Sequence, residues 1–217
     1  MTRWPVAARL ALVAVIVAVA LAVALWPRSA DAPDPGQQAP RAAAVSPAER
    51  AAAGLLPCPG PAGATAAPAE SGAAGETPLA GLNLTCLADG EPVDLGAALA
   101  GRPALLNLWA YWCAPCAQEL PHLQEYARQA GDRITVLTVH SDPEEAKALS
   151  RLTGLGITLP GVLDPSAALR NAVGAPAVLP ISVLLRADGT VADVVVRSFT
   201  DTGDIGRTVA AELGVSL

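Results

Sequence analysis

Two of the chain's four cysteines lie close together in the stretch WAYWCAPCAQELP, which begins at Trp109. Cys113 and Cys116 are separated by two residues, and Pro115 directly precedes the second cysteine. A pair with this spacing can be half of a metal site, a short structural disulfide or a reversible redox couple. The rest of the sequence has to distinguish these three kinds of chemistry.

The residues available elsewhere in the chain argue against a metal site. Structural zinc needs four ligands, and the chain has no second C-x-x-C motif. The two histidines are far apart in sequence: His122 is interpreted as a surface residue and His140 as an exposed residue at a strand end. A purely structural bridge is disfavoured because closing a two-residue loop removes little entropy from the unfolded chain. A redox couple is therefore preferred, and neither a metal nor a cofactor is expected.

A buried strand and a helix are predicted on either side of the cysteine pair. Residues 104–110, ALLNLWA, form a nearly continuous apolar run, and residues 117–130 carry apolar side chains at helical spacing. Cys113 would then lie at a helix N-terminus, where unpaired N–H groups and the helix dipole stabilise a thiolate. Pro115 would stiffen the turn. Cys116, one turn further along, would be more shielded and could attack a mixed disulfide formed on Cys113.

The remaining patterned elements of residues 79–217 predict a mixed α/β sheet with helices on both faces. A helix joins the two buried strands, so these strands are expected to be parallel with a right-handed crossover. Hairpins near both ends of the domain add antiparallel strands, one of them an extra N-terminal hairpin. The predicted elements are a hairpin at 82–91, a strand at 134–140, helices at 142–154 and 164–173, strands at 181–185 and 191–197, and a helix at 201–213.

The beginning of the chain predicts a membrane segment. Leu10 to Trp26 is a run of 17 apolar residues without a charge, preceded by Arg3 and Arg9. Such a run is either a cleaved signal peptide or an uncleaved anchor. The anchor is favoured because proline follows the only A-x-A-like site, at 30–32. The preceding arginines predict a cytoplasmic N-terminus, with the rest of the chain in an oxidising compartment.

The segment between this run and the patterned domain has a different composition. Residues 27–78 contain ten of the chain's twenty prolines, and they are predicted to form a mostly disordered linker. Three regions are thus expected: an anchor or signal segment at 1–26, this linker, and a domain at 79–217. The chain has a formal charge of −6 and no basic patch, which argues against nucleic acid as a partner.

The other two cysteines are Cys58, in the predicted linker, and Cys86, in the first hairpin. In an oxidising compartment, a remaining even pair suggests a structural disulfide between them. Two alternatives stay open: two free thiols, or a second redox relay that feeds Cys113.

The active-site stretch resembles a known family. WCAPC after NLWA resembles the active site of the thioredoxin superfamily, and NLWAYWCAPCAQELP is similar in particular to its membrane-anchored TlpA/ResA-like thiol–disulfide oxidoreductases. The resemblance covers about residues 79–217 and implies a thioredoxin-like fold. It also implies protein dithiol or disulfide substrates, reductase activity outside the membrane and a membrane thiol protein as electron donor. Some members of this branch reduce apocytochrome c before haem attachment.

The resemblance also assigns residues that would contact the substrate. The superfamily has a cis-proline loop facing its cysteine pair, and VLPISVLL indicates a cis bond between Leu179 and Pro180. The backbone of this loop would pair with a bound polypeptide; the alternative is an ordinary loop proline. Trp112 and Pro115 would complete the surface that meets the substrate.

A proton acceptor is assigned in the same way. Cytosolic thioredoxins carry a buried aspartate at the position of Asn107, which cannot act as a base. In the resembled branch a glutamate follows six residues after the first cysteine, and Glu119 matches it. Glu119 is three residues from Cys116 on the predicted helix, and a partly buried carboxylate there would have a raised pKa and could deprotonate that thiol. The alternative is a solvated glutamate.

Two other functions are weighed against this one. Peroxide-reducing relatives carry threonine or serine three residues before their cysteine and proline before that, whereas Ala110 and Trp109 occupy these positions here. A binding module that has the fold without turnover is the second rival. The intact cysteine pair and Pro180 argue against it.

Overall fold

A computed structural model gives the structure of the chain and describes residues 11, 14–21, 45–60 and 77–217. Ala42–Leu217 form one compact unit, and Met1–Arg41 form a separate one. Residues 14–21 are helical with exposed apolar side chains. No helix within the described residues is both long and apolar enough to cross a membrane. Most of the predicted anchor at 1–26, and much of the predicted linker, lie outside the described residues.

The strands of the folded unit form one mixed sheet of seven strands in the order β2-β1-β5-β4-β3-β6-β7. The pairs β3–β4 and β4–β5 are parallel, and all other neighbouring pairs are antiparallel. The predicted parallel arrangement of the two buried strands is therefore confirmed. The strands are β1 (Asn83–Cys86), β2 (Pro92–Asp94), β3 (Ala104–Trp109), β4 (Thr135–His140), β5 (Gly161–Leu163), β6 (Ile181–Leu185) and β7 (Val191–Val195).

Helices cover both faces of this sheet, as predicted. One apolar cluster joins the sheet to α3, α4 and α6, and a second joins it to α2 and α5. Alternate residues of β3 enter the two clusters: Leu105 and Trp109 the first, Leu106 and Leu108 the second. The helices are α1 (Pro47–Ala53), α2 (Leu95–Ala98), α3 (Ala114–Ala130), α4 (Glu145–Leu155), α5 (Ala168–Ala172) and α6 (Thr202–Leu213).

The helix that carries the cysteine pair begins earlier than the apolar spacing predicts. α3 starts at Ala114 because Cys113 is its N-cap and Pro115 fits the first turn, where no N–H partner is needed. The opposite shift occurs in α4, which starts at Glu145 instead of near Asp142. The Asp142 side chain accepts a hydrogen bond from the Glu144 N–H (2.9 Å), so a turn precedes the helix.

The segment 45–60 corrects the predicted boundary of the linker. It contains α1, which begins with a capping box between Ser46 and Glu49. Arg50 of α1 donates two hydrogen bonds to Glu145 of α4, at 2.8 and 3.0 Å, and both side chains are largely buried. This segment therefore belongs to the folded unit and not to a disordered linker.

A disulfide joins Cys58, at the end of this segment, to Cys86 in β1. The two residues are 28 positions apart, with Cα atoms separated by 6.0 Å. Cys86 pairs with Val162 of β5, a three-residue strand that the sequence analysis did not predict. The disulfide thus attaches the segment 45–60 to the part of the sheet formed by β1 and β5.

Candidate active site

Cys113 and Cys116 form a disulfide at the beginning of α3. Cys113 is 5% exposed, whereas Cys116 is fully buried. The Cys113 sulfur accepts a hydrogen bond from the Cys116 N–H at 3.3 Å, so it already lies where the helix N-terminus would stabilise a thiolate in the reduced protein. Cys113 is therefore the less buried of the two residues, and the one that a sulfur atom of another molecule would reach first.

The predicted proline loop lies beside this pair. The peptide bond between Leu179 and Pro180 is cis, as predicted. Pro180 immediately precedes β6, and the antiparallel register places Ile181 of β6 opposite Leu108 of β3. Because β3 leads into the cysteine turn, this register brings the proline loop to the same edge of the sheet as Cys113.

The surface around Cys113 is largely apolar. Trp112 is 58% exposed, Val178 is 50% exposed, Pro115 is exposed and Leu179 is half-buried. Exposed apolar side chains beside a reactive sulfur suit contact with an extended polypeptide. The orientation of Trp112 is set by a residue that the sequence analysis missed: its Nε1 donates a hydrogen bond to Asp142 at 2.9 Å.

Glu119 is fully buried on α3, so the alternative of a solvated helix glutamate is wrong. Its two carboxylate oxygens accept hydrogen bonds from the Phe199 N–H (3.0 Å) and from Asn107 Nδ2 (3.2 Å). Burial raises the pKa of Glu119 to about 7, although these two hydrogen bonds act in the opposite direction. A carboxyl group with this pKa can accept or release a proton near neutral pH, as a base for the buried Cys116 would need to do.

Glu119 belongs to a polar network that crosses three elements. Asn107 of β3 also donates from Nδ2 to the Ser182 hydroxyl of β6 at 3.1 Å, and Ser182 lies two residues after Pro180. Asn107 Oδ1 is buried and has no hydrogen-bond partner within the described residues. Rotation of the Asn107 amide would turn this oxygen towards Glu119 and let it accept a hydrogen bond from a protonated carboxyl group. The network can therefore accommodate both protonation states of Glu119.

The expectation that His140 is exposed is wrong, because His140 is fully buried. It ends β4, a central strand that pairs with both β3 and β5, and the turn after β3 covers it. Its ring contacts those of Trp109 and Tyr111, with centroids 4.8 and 6.1 Å away. His122, in contrast, is half-buried on α3. Within the described residues, no group of three or more His, Cys, Asp or Glu side chains could hold a metal ion.

This fold and site together define a class of protein: a thioredoxin-superfamily protein with a disulfide-bonded cysteine pair at a helix N-terminus and a cis-proline loop at the same edge of the sheet. A family model described as Redoxin matches residues 61–210. The chain belongs to the Redoxin family.

Relatives and solved structures agree with this classification. The chain is 25% identical over 114 residues to the thiol–disulfide oxidoreductase ResA of Halalkalibacterium halodurans, covering 52% of this chain and 64% of that protein. It is similar to the solved structure of a secreted Mycobacterium tuberculosis disulfide oxidoreductase, at 27% identity and a TM-score of 0.54, covering 62% of this chain and 97% of the other.

A DsbF homologue of Corynebacterium diphtheriae gives 28% identity and a TM-score of 0.53, with 60% of this chain and 83% of that chain covered. The chain spans less than two thirds of the length of the ResA proteins that it matches, and 64% in the Halalkalibacterium halodurans protein.

Proposed function

We propose that the chain is a thiol–disulfide oxidoreductase that reduces disulfides in protein substrates through Cys113 and Cys116. One observation carries this proposal: the two cysteines are bonded at the start of α3, with Cys113 5% exposed and Cys116 fully buried. This asymmetry separates the cysteine that meets the substrate from the cysteine that resolves the intermediate. The names of the ResA relatives and of the solved disulfide oxidoreductase support the same chemistry.

The reaction follows from the positions of the two sulfur atoms. The Cys113 thiolate attacks a substrate disulfide, forming a mixed disulfide and releasing one substrate sulfur as a thiolate. Cys116, after giving its proton to Glu119, attacks the Cys113 sulfur and releases the second substrate thiolate. Two electrons have then passed to the substrate, and the enzyme holds the Cys113–Cys116 disulfide. A dithiol donor has to reduce this bond before the next turnover.

Insulin is a suitable test substrate, because reduction of its disulfides by a dithiol donor is measurable without knowledge of the natural substrate. We expect the full-length protein to accelerate this reaction and the Cys113→Ser/Cys116→Ser variant to be inactive. The Cys116→Ser variant should accumulate a mixed disulfide through Cys113, and the Cys113→Ser variant should not. An equal yield of mixed disulfide from both single variants would contradict the assigned roles.

Two rival functions are tested with the same preparations. A peroxide reductase would consume hydrogen peroxide faster than the double serine variant, whereas we expect no difference. A binding module without turnover would bind polypeptide but leave the rate of insulin reduction unchanged.

Trapping with Cys116→Ser in the host identifies the substrate. An apocytochrome c peptide in the mixed disulfide would assign the narrower function of preparing cytochrome c for haem attachment.

We also propose that the chain is held at the cell membrane by residues 1–26, with its catalytic unit on the extracytoplasmic side. The charge-free apolar run and the arginines before it support this placement. Residues 14–21, which fall within this run, are helical with exposed apolar side chains. The membrane thiol protein expected as electron donor would then act beside the catalytic unit.

A further inference from the structure

The buried imidazole of His140 is not explained by packing alone. His140 is 0% exposed, and its ring meets Trp109 edge-on at a centroid distance of 4.8 Å. Its Nδ1 is buried and has no hydrogen-bond partner within the described residues. Leaving a polar atom unpaired in the interior costs free energy that an apolar side chain of similar size would not cost.

The other ring nitrogen of His140 makes a specific contact. Nε2 accepts a hydrogen bond from the backbone N–H of Tyr111 at 3.2 Å. Tyr111 lies in the turn that leads from β3 into α3, two residues before Cys113. The same turn is closed by a hydrogen bond from the Cys113 N–H to the Ala110 carbonyl at 3.0 Å.

Other side chains hold the remaining groups of this turn. Arg151 of α4 donates from Nε to the Tyr111 carbonyl at 3.0 Å, and Lys147 lies 4.9 Å from the centre of the Tyr111 ring. Trp112 is held by Asp142, two residues beyond His140. Residues from the end of β4 and from α4 therefore fix the two residues that immediately precede Cys113.

We propose that His140 is a positioning residue for thiol–disulfide exchange, acting through the Tyr111 amide to fix the turn that presents the Cys113 sulfur to the N-terminus of α3. This role rests on the proposed function. The stabilisation of a Cys113 thiolate depends on how the sulfur faces the unpaired N–H groups of the helix, because that interaction is directional and short-ranged. A turn that rotates away weakens it.

The charge state of His140 is consistent with this role. Only an unprotonated Nε2 can accept the Tyr111 N–H, so the imidazole has to be neutral with its proton on Nδ1. Burial lowers the pKa of His140 to about 4, although the charge of the Asp142 carboxylate and the backbone of Asp142 both favour the protonated form. The acceptor is therefore present throughout the neutral pH range.

The test compares His140→Val and His140→Gln in the full-length protein, in detergent micelles. Valine removes the acceptor, whereas the glutamine carbonyl can replace Nε2. The measurement is alkylation of Cys113 by iodoacetamide in the reduced protein at pH 7, followed by mass spectrometry of the Cys113 peptide. We expect the alkylation rate to fall about fivefold in His140→Val, because one hydrogen bond is lost. The pH profile of alkylation should shift upwards. His140→Gln should recover most of the rate.

His122→Val provides the matched control, because it removes the other histidine from a half-buried position outside the turn. Its alkylation rate should equal that of the unmodified protein. A His140→Val protein that is folded by near-ultraviolet circular dichroism but alkylates at the original rate would overturn the proposal. So would a folded His140→Gln protein that is as slow as the valine variant, since only packing would then connect His140 to the turn.

A measurement on the unmodified protein keeps the proposal testable if His140→Val does not fold. Nitrogen-15 NMR of the imidazole should show the tautomer protonated on Nδ1, and the Tyr111 amide should be protected from hydrogen exchange. A tautomer protonated on Nε2 would overturn the proposal, because that nitrogen could not then accept a hydrogen bond. Neither alkylation nor NMR requires turnover, so failure of the insulin assay alone would count against the proposed function and not against this positioning role.

Discussion

At the scale of single residues, the site depends on a carboxylate that the fold has placed in an unfavourable environment. Glu119 is fully buried, and burial raises its pKa to about 7. The network with Asn107 and Ser182 only partly compensates for the loss of solvent. The environment that suits Glu119 to the proposed role of proton acceptor therefore reduces the stability of the protein whenever Glu119 is ionised.

Replacing Glu119 by glutamine should change the pH dependence of stability. The folded pKa is about 7 and lies above the ordinary value of 4.5, so the contribution of Glu119 is most favourable below pH 4.5 and is lost as pH rises through 7. The total change corresponds to about 3 kcal/mol. The free energy of unfolding of Glu119→Gln and of the unmodified protein should be measured in urea at pH 4.5 and at pH 8. From the lower to the higher pH, the difference between the two proteins should change by about this amount in favour of Glu119→Gln. An equal difference at both values would contradict the prediction.

The same substitution should affect catalysis in the resolving step. Without a proton acceptor, Cys116 should attack the mixed disulfide more slowly near neutral pH, and the pH profile of this step should shift upwards. Single-turnover release of a fluorescent thiol from a preformed Cys113 mixed disulfide measures the step directly. An unchanged profile would remove Glu119 from the mechanism, whereas slower formation of the mixed disulfide itself would indicate a general disturbance of the site.

At the scale of elements, the segment 45–60 is attached to the sheet both covalently and by an ion pair. The Cys58–Cys86 disulfide closes a loop between residues 28 positions apart, and Arg50 pairs with Glu145. In the chain-entropy description, a loop of this size stabilises the folded protein by about 3.6 kcal/mol. Its position at β1 and β5, away from the start of α3, supports the prediction of a structural bridge.

Replacing both of these cysteines by serine tests that assignment. The free energy of unfolding should fall by about 3 to 4 kcal/mol. At a temperature where the variant is fully folded, insulin reduction should proceed at the original rate. If Cys58 and Cys86 formed a second redox relay, the variant would still fold, but its dithiol donor would reduce Cys113–Cys116 more slowly.

The parts of the site that could be predicted from sequence are those encoded by local spacing. The C-x-x-C pair, the strand before it, the cis-proline and Glu119 all follow from short patterns or from the resemblance that those patterns carry. The burial of His140 could not be predicted, because it depends on the turn after β3, where Trp109 and Tyr111 contact its ring from about 30 positions away in sequence. The hydrogen bond between Trp112 and Asp142 joins residues 30 positions apart and leaves no local signal. The packing of α1 was missed because its composition matches that of a linker.

At the scale of the whole molecule, the proposed arrangement separates attachment from chemistry. The compact unit is Ala42–Leu217, and it contains both disulfides and the complete candidate site. Replacing residues 1–26 by a cleavable signal peptide, which keeps the same compartment, should therefore release the protein from the membrane fraction, while the rate of insulin reduction stays the same. Fractionation of cells expressing the two forms provides the measurement. Recovery of the truncated protein with membranes would contradict the anchor, and a lower rate would indicate that these residues contribute to the site.

The two disulfides require opposite redox reactions in the compartment of the protein. Cys58–Cys86, as a structural bridge, would be made once, during folding. In the proposed reaction, Cys113–Cys116 has to be opened in every cycle. Under the proposed function, the protein needs an oxidant to mature and a reductant to turn over, in the same compartment. A cell without its disulfide-forming catalyst should therefore accumulate an unstable form of this protein, because Cys58–Cys86 would not form.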